Sequence, residues 1–169
     1  MDIRECRAED LELIHAHMPS PGQTRRHSRR FDRQQLGLST LLIAWSDDIP
    51  VGSGEIRWHG CAAPEVAQRH PGCPELNGLE VSPTRQSQGI GTAIVHAAET
   101  LARRRGHTQL GLGVDDNNHR AAQLYLRLGY EETGCRYLDR YDYLDNDGTR
   151  HDIADPARFL IKPLRTEPS

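Results

Sequence analysis

The stretch ELNGLEVSPTRQSQGIGT, residues 75–92, decides the fold of this chain. Its apolar start predicts a strand over Glu75–Val81, which Pro83 ends because proline cannot continue a strand interior. From Gly89 to Arg105 the apolar side chains recur at helical spacing and form one continuous stripe. The members of that stripe are Ile90, Ala93, Ile94, Ala97, Ala98 and Leu101. The stretch therefore predicts a strand, a turn rich in small residues, and a helix that begins directly at the turn.

The turn before this helix has the properties of an anion site. The first N–H groups of a helix have no partner within it, and the helix dipole favours negative charge there. Gly89 and Gly91 let a bulky anion approach the backbone. A P-loop requires a lysine after the last glycine, where this chain has Thr92, and a dinucleotide fingerprint requires a glycine where it has Ile94. The turn thus predicts a diphosphate site of another kind.

The same pattern continues on both sides of this stretch. Downstream, we expect a strand over 107–114, a helix that begins at Asn117 or Asn118, and strands over 130–137 and 158–162. Upstream, we expect a strand over 4–6, a helix over 10–17, and a hairpin of strands 40–46 and 51–58. The order β-α-β-α-β after residue 74 favours an α/β sheet with at least one parallel pair.

Three segments have no clear place in this pattern. The arginine-rich stretch 25–33 would be polar nearly all round as a helix, so we expect an exposed surface element. Residues 60–74 are irregular and are either a mobile or substrate-facing loop or an insertion. Residues 138–156 are rich in aspartate, which either attracts a cationic amine over long range or forms a solvated hairpin.

Composition excludes several classes of protein. With 169 residues, 36% hydrophobic residues and a formal net charge of −3, the chain fits one globular domain and argues against nucleic-acid binding. No apolar run approaches the ~18 residues of a membrane span. The amino terminus has no apolar signal core, and the four cysteines match no zinc spacing, so we expect a cytoplasmic protein with reduced thiols and no metal site.

Two motifs resemble those of the GNAT superfamily of N-acetyltransferases. Gln86, Gly89 and Gly91 match the acetyl-CoA signature Q/R-x-x-G-x-G/A, and the strand before it and helix after it stand in the expected places. Downstream, Asn118 precedes an A-x-x-L-Y pattern over 121–125 and Leu-Gly-Tyr at 128–130. The resemblance is close over residues 76–134 and loose on the flanks.

The resemblance implies the fold and the cofactor. The fold class is α/β, with a GNAT-like mixed, mostly antiparallel central sheet that is splayed in a V and flanked by helices. One domain would span residues 1–169, with the tail 161–169 partly disordered at its end. Acetyl-CoA, as co-substrate, would lie in the V, and many proteins that this chain resembles dimerise, so a homodimer is expected as one alternative. The residues implied in binding the cofactor are Leu79, Val81, Gln86, Ser87, Gln88, Gly89, Ile90, Gly91, Thr92 and Asn118.

The implied activity is direct transfer of an acetyl group from acetyl-CoA to a primary amine of a small molecule or peptide. An amine must lose a proton before it attacks, and either Glu75, Glu80 or neither side chain assists; strand alternation places the two carboxylates on opposite faces. The family pattern assigns Tyr125 to stabilisation of the leaving thiolate, against a purely structural role in the helix stripe. A non-catalytic acyl-CoA-binding module of the same fold is the alternative, and the sequence does not identify the acceptor.

Overall fold

The computed structural model describes residues 1–165 of the chain. Its strands and helices alternate along the sequence, with short 3-10 helices at Ala8–Asp10 and Pro83–Arg85. The strands are β1 (Asp2–Glu5), β2 (Ser39–Ser46), β3 (Ile49–Arg57), β4 (Glu75–Val81), β5 (Gln109–Asp115), β6 (Glu131–Leu144) and β7 (Arg150–Pro163). The helices are α1 (Leu11–His17), α2 (Arg26–Gln35), α3 (Pro64–Arg69), α4 (Ile90–Arg104) and α5 (His119–Arg127). A tail was expected over 161–169, but residues 161–163 belong to β7. The disorder expected at the end of the tail falls on residues 166–169, which lie outside the described residues.

The seven strands form one mixed sheet in the order β1-β2-β3-β4-β5-β7-β6. Every neighbouring pair is antiparallel except β4 and β5, which are parallel. β4 and β5 pair only at Glu75–Gly111 and Leu76–Leu112, whereas β5 and β7 stay paired from Gln109 to Asp115. The sheet therefore opens in a V between β4 and β5, which confirms the predicted fold class.

Helix α4 covers one face of the sheet, as its apolar stripe predicts. Its side chains Val95 and Ala98 pack against Leu76 and Leu112 from the two central strands. The stripe faces the central strands, where Ile90, Ile94 and Ala98 are buried and its other members are half-buried, and burial of this apolar area stabilises the fold. The helix thus holds the turn at its amino end in a defined position beside the opening of the V.

The arginine-rich segment is not the exposed surface element that its composition predicts. It forms α2, in which His27, Arg30 and Phe31 are buried against the opposite face of the sheet. That face carries polar groups that pair with the arginines; Glu55 on β3, fully buried, accepts hydrogen bonds from Arg33 at 2.8 and 2.9 Å. The prediction was wrong because a polar helix face can be buried when its partners are polar too.

The segment 60–74 is not irregular throughout. It contains α3, whose Val66 packs with Cys73 against the aromatic side chains Tyr137 and Phe159 of β6 and β7. Gly111 leaves room for the Phe159 ring, since a Cβ there would lie 2.3 Å from it. The segment is therefore a cover for this smaller core cluster.

The aspartate-rich segment 138–156 continues the last two strands. β6 and β7 remain paired from Tyr137–Ala157 out to Leu144–Arg150, so both strands run well beyond the predicted limits 130–137 and 158–162. Acidic and apolar residues alternate in this segment, but its hydrophobicity is too low to predict a strand from sequence. No helix within residues 1–165 is long and apolar enough to span a membrane.

Candidate active site

The turn between β4 and α4 presents free backbone donors. Gly89 precedes the helix with φ of +81°, a left-handed conformation that glycine adopts without strain. Across residues 1–165, the N–H groups of Gly89, Ile90, Gly91 and Thr92 find no acceptor in the protein, and the first hydrogen bond at this end runs from the Ala93 N–H to the Gly89 carbonyl at 3.0 Å. These groups form a cradle for an anion at the positive end of a long helix.

A groove of about 660 Å³ runs from this turn to α5, and we call it the α4 groove. It is lined by every residue predicted from the resemblance to bind the cofactor except Gln88. Sequence reasoning missed two cations on its wall, Arg120 and Arg127. Arg120 donates a hydrogen bond to the Ser87 hydroxyl and so joins α5 to the turn. Their position within the second motif, between Asn118 and Leu128, was the only sequence signal for these two arginines.

Asn118 links the α4 groove to the start of α5. Its side-chain oxygen caps the helix by accepting from the Ala121 N–H at 3.1 Å. The side-chain amide N–H groups have no acceptor within the described part of the chain and border the groove. One residue thus positions the helix and offers donors to whatever occupies the groove.

The opening of the V contains a smaller cavity of about 190 Å³, which we call the gap. The gap shares Leu79, Asn118 and Tyr125 with the α4 groove on one side. On the other side it shares Asn77, Gly78, Asp115 and Asp139 with a cavity of about 840 Å³ between α2 and the β6–β7 hairpin, the outer cavity. Because each space shares lining residues with the next, the three spaces lie side by side across the opening of the sheet, and we call them together the path; no residue of 60–74 lines any of them.

Tyr125 lies where the α4 groove meets the gap. Helix α5 places its side chain under the opening, only 8% exposed. Burial raises the pKa of Tyr125 to about 12, so the phenol stays protonated at neutral pH. Its hydroxyl has no hydrogen-bond partner within residues 1–165 and is available as a donor. The role in stabilising the leaving thiolate that the resemblance implies for this residue stays a prediction.

Glu75 and Glu80 share one face of β4, contrary to the predicted opposite faces. A bulge at Gly78 and Leu79 inserts a residue, because Glu55 pairs with Asn77 whereas Ser53 pairs with Glu80. The bulge resets the alternation, so residues five apart point the same way. Gly78 permits the bulge with φ of +64°.

The two carboxylates have different surroundings, and neither lines the gap or the outer cavity. Glu75 is 2% exposed, and its Oε1 accepts from the Asn77 side chain at 3.2 Å. Burial raises the pKa of Glu75, and the charge of Asp139 adds to this effect against the opposing Arg57 charge. Glu80 forms an ion pair with Arg26 on α2. Glu75 therefore contacts Asn77, which lines the path. Glu80 fixes the position of α2 through its ion pair with Arg26.

Two further carboxylates line the path; Asp115 was missed from sequence, whereas Asp139 belongs to the aspartate-rich segment that was predicted either to attract a cationic amine or to form a solvated hairpin. Asp115 at the end of β5 and Asp139 on β6 line both the gap and the outer cavity. Burial raises the pKa of Asp139, and nearby Asp155 raises it further. Burial and the neighbouring aspartates also raise the pKa of Asp115. The sequence did not place Asp139 beside the path, because the strand that contains it was predicted only as far as residue 137.

The cysteines do not have the character of activated nucleophiles. All four are free, and burial raises the pKa values of Cys6, Cys61 and Cys73 to about 12. A thiol with such a pKa supplies almost no thiolate at neutral pH. Within residues 1–165, no group of three or more His, Cys, Asp or Glu side chains is arranged to hold a metal ion.

Comparison with known proteins gives one family match and many structural matches. Residues 9–130 match the family described as Acetyltransferase (GNAT) family. An uncharacterized N-acetyltransferase of Methanocaldococcus jannaschii is 38% identical over 58 residues, which is 34% of this chain and only 26% of that protein.

Two solved structures illustrate the likeness of fold. The ribosomal-protein-alanine N-acetyltransferase of Brucella melitensis superposes with a TM-score of 0.68 at 22% identity, over 97% of this chain and all of that one. A GNAT family acetyltransferase of Elizabethkingia anophelis with acetyl-CoA bound superposes with a TM-score of 0.60 at 16% identity, over 96% of this chain and 97% of that one.

Replacement of Gly78 tests the bulge. A Cβ at this position would lie 1.7 Å from an Arg30 guanidinium nitrogen, in addition to the strain of positive φ. Gly37 is the matched control, because it has φ of +76° and nothing within 4 Å of its Cβ position. We expect Gly37→Ala to lose only the ~1–2 kcal/mol of left-handed strain in urea unfolding, and Gly78→Ala to lose clearly more. Equal losses in the two variants would contradict the proposed packing of Arg30 on the bulge.

Proposed function

This chain belongs to the acetyltransferase (GNAT) family, and we propose that it transfers the acetyl group of acetyl-CoA to a primary amine of a small molecule or peptide by direct attack. The family predicted from the two motifs is thereby confirmed. The observation that supports the proposed activity is that the α4 groove, the gap and the outer cavity adjoin one another through shared lining residues, with Tyr125 at the first junction. This arrangement lets two substrates meet in the middle of the sheet.

In this proposal acetyl-CoA occupies the α4 groove. The free N–H groups of Gly89–Thr92 bind its diphosphate, and Arg120 and Arg127 add positive charge on the opposite wall. The pantetheine arm lies along Leu79–Val81, the part of β4 that has no partner strand on its β5 side. The acetyl group then reaches the gap beside Tyr125.

The chemical step joins the amine nitrogen to the thioester carbon and breaks the carbon–sulfur bond. An amine with a pKa of about 10.4 costs about 4.6 kcal/mol to deprotonate at pH 7, so a proton acceptor is required. We propose Glu75, through water at the Asn77 wall, as that acceptor, because its raised pKa lies nearer neutrality than that of an ordinary glutamate. Glu80 orders α2 through Arg26 and so positions the acceptor wall.

Tyr125 assists the leaving group. The CoA sulfur gains negative charge as the carbon–sulfur bond breaks, and the free Tyr125 hydroxyl donates a hydrogen bond to it. Full proton transfer is not required, since a thiol is more acidic than a phenol. The unusually high pKa keeps the proton on the oxygen throughout.

Three statements about the partners and the location of the protein stay predictions. A homodimer, the absence of a nucleic-acid partner and a cytoplasmic location were inferred from the sequence or from the resemblance. The four free cysteines fit a reducing compartment.

Calorimetric titration with acetyl-CoA, free CoA and NAD tests the proposed donor. We expect micromolar binding of acetyl-CoA and CoA and none of NAD, because the turn matches a CoA signature and lacks the dinucleotide glycine pattern. No binding of acetyl-CoA by folded protein would contradict the proposed groove. Binding without release of thiol in a broad amine screen would instead favour the alternative of a non-catalytic acyl-CoA-binding module.

Replacement of Tyr125 by phenylalanine tests the leaving-group role. We expect Tyr125→Phe to lower kcat by roughly 100- to 1000-fold, the range for loss of one transition-state donor, with an unchanged Kd for acetyl-CoA. Tyr130→Phe is the control, because Tyr130 is also buried, lies 6.3 Å from Tyr125 between ring centroids, and is bonded to Glu99 away from the path. It should lose stability but keep its kcat. Unchanged kcat in folded Tyr125→Phe would refute the role.

Replacement of each glutamate by glutamine distinguishes the proposed roles of Glu75 and Glu80. Activity should fall as pH drops through the raised pKa of Glu75, because only the deprotonated form accepts a proton. We expect Glu75→Gln to lower kcat by roughly 100-fold and to remove this acid limb from the pH–rate profile. Glu80→Gln should keep the limb and raise KM for the acceptor, because Arg26 is released. The reverse pattern would assign the base to Glu80, and loss in neither variant would leave Asp139 or Asp115 as the group to test.

A further inference from the structure

Arg30 is a buried charge that forms no direct ion pair within the described residues; the charges of Glu55 and Glu80 favour its charged form only from a greater distance. Arg30 lies in the middle of α2, is 3% exposed, and borders the outer cavity. Its guanidinium donates to two neutral acceptors, the Ser53 hydroxyl at 3.4 Å and the Gly78 carbonyl at 3.1 Å. No carboxylate oxygen of the described chain lies within 4 Å of it. Burial lowers the pKa of Arg30 to about 10, which still leaves it charged at neutral pH.

The other arginines around it on α2 do have carboxylate partners. Arg26 pairs with Glu80, Arg33 pairs with the buried Glu55, and Arg29 pairs with Asp142 at 3.2 Å. The same layer could have supplied Arg30 with a carboxylate, for example in place of Ser53. A buried guanidinium that faces a cavity and lacks such a partner is costly unless a ligand supplies the negative charge.

The charges of the outer cavity are distributed unevenly. Arginines predominate on its walls, and the two carboxylates at its inner end, Asp115 and Asp139, lie where it joins the gap. The acidic hairpin does not make the cavity a site for polycations, because Asp142 is paired with Arg29 and Arg150, and Asp145 is paired with His151. The cavity therefore offers a cation site at its reacting end and an anion site beside it.

We propose that the acceptor is an amine that also carries a carboxylate, which Arg30 binds while the amine lies at the Asp115 and Asp139 end. This inference rests on the proposed acetyltransferase function and names its substrate class: amino acids, their ω-amino homologues or short peptides with an acidic group. A planar guanidinium fork matches a carboxylate in shape as well as charge. Gly78, whose carbonyl contacts Arg30, lines the gap as well, so the two charges of the acceptor are expected to be close together.

A homologous series of acceptors tests the proposal with the whole protein. The series consists of amino carboxylates with one to five carbon atoms between the two groups, the corresponding amides, and the corresponding diamines. Thiol release from acetyl-CoA gives kcat/KM for each compound, expressed per concentration of free amine because the amine pKa differs along the series. We expect a preference of about ten-fold or more for the carboxylates over amides and diamines of equal length, greatest for short spacers.

Variants of Arg30 then test whether this residue causes the preference for carboxylates. Arg30→Met keeps the length of the side chain and removes its charge, and should abolish the preference with an unchanged calorimetric Kd for acetyl-CoA. Arg30→Lys should restore part of it. Arg69→Met, an exposed arginine on α3 that lines no part of the path, should behave as wild type.

The outcomes separate the two proposals. Equal or better use of amides or diamines by the wild type, or a preference that survives in Arg30→Met, would overturn the substrate class and leave the acetyltransferase function intact. Turnover of none of the carboxylates by protein that binds acetyl-CoA would overturn it as well. Absence of acetyl-CoA binding would be a failure of the proposed function. If Arg30→Met does not fold, the wild-type ranking alone decides the substrate class.

Discussion

The early end of the pairing between β4 and β5 is the constraint on which the rest of this structure depends. Two parallel strands at the centre of a sheet normally satisfy each other's backbone groups along their length. Here they pair only at Glu75–Gly111 and Leu76–Leu112 and then diverge. The separated strand edges are left to bind something other than a strand, and they create the gap that joins the two larger cavities.

Several local features serve this opening. Helix α4 buries its stripe against the paired part of the strands, which brings its free N–H groups to one side of the opening. Gly113 accommodates the hydroxyl of Tyr137, which lines the gap, because any Cβ there would lie 1.7 Å from that oxygen. The bulge at Gly78 turns both glutamates of β4 toward α2 and admits the guanidinium of Arg30. The donor side of the path is built from backbone groups, whereas the acceptor side is built from charged side chains.

The difference between the two sides has a functional consequence. Backbone donors at a helix end recognise a feature that every CoA thioester shares, and they require only glycine and a helix. The charges of α2, β4 and β6 can change from protein to protein without altering the sheet, so they are suited to distinguish acceptors. The pairs Glu55–Arg33 and Glu80–Arg26 hold α2 in place, and Arg30 lies between them without a direct ion pair to any carboxylate of the described chain.

The sequence alone determined the strand over Glu75–Val81, the turn that follows it, helix α4 and, through the resemblance of two motifs, the family. The strand, the turn and the helix depend on neighbouring residues along the chain, through the spacing of apolar side chains and glycine conformation. Tertiary structure decided the rest. The bulge reversed the predicted faces of Glu75 and Glu80 because one inserted residue is invisible to an alternation rule. The burial of Arg30, the length of the β6–β7 hairpin and the placement of Asp139 depended on groups distant in sequence, since only the folded chain brings those groups together.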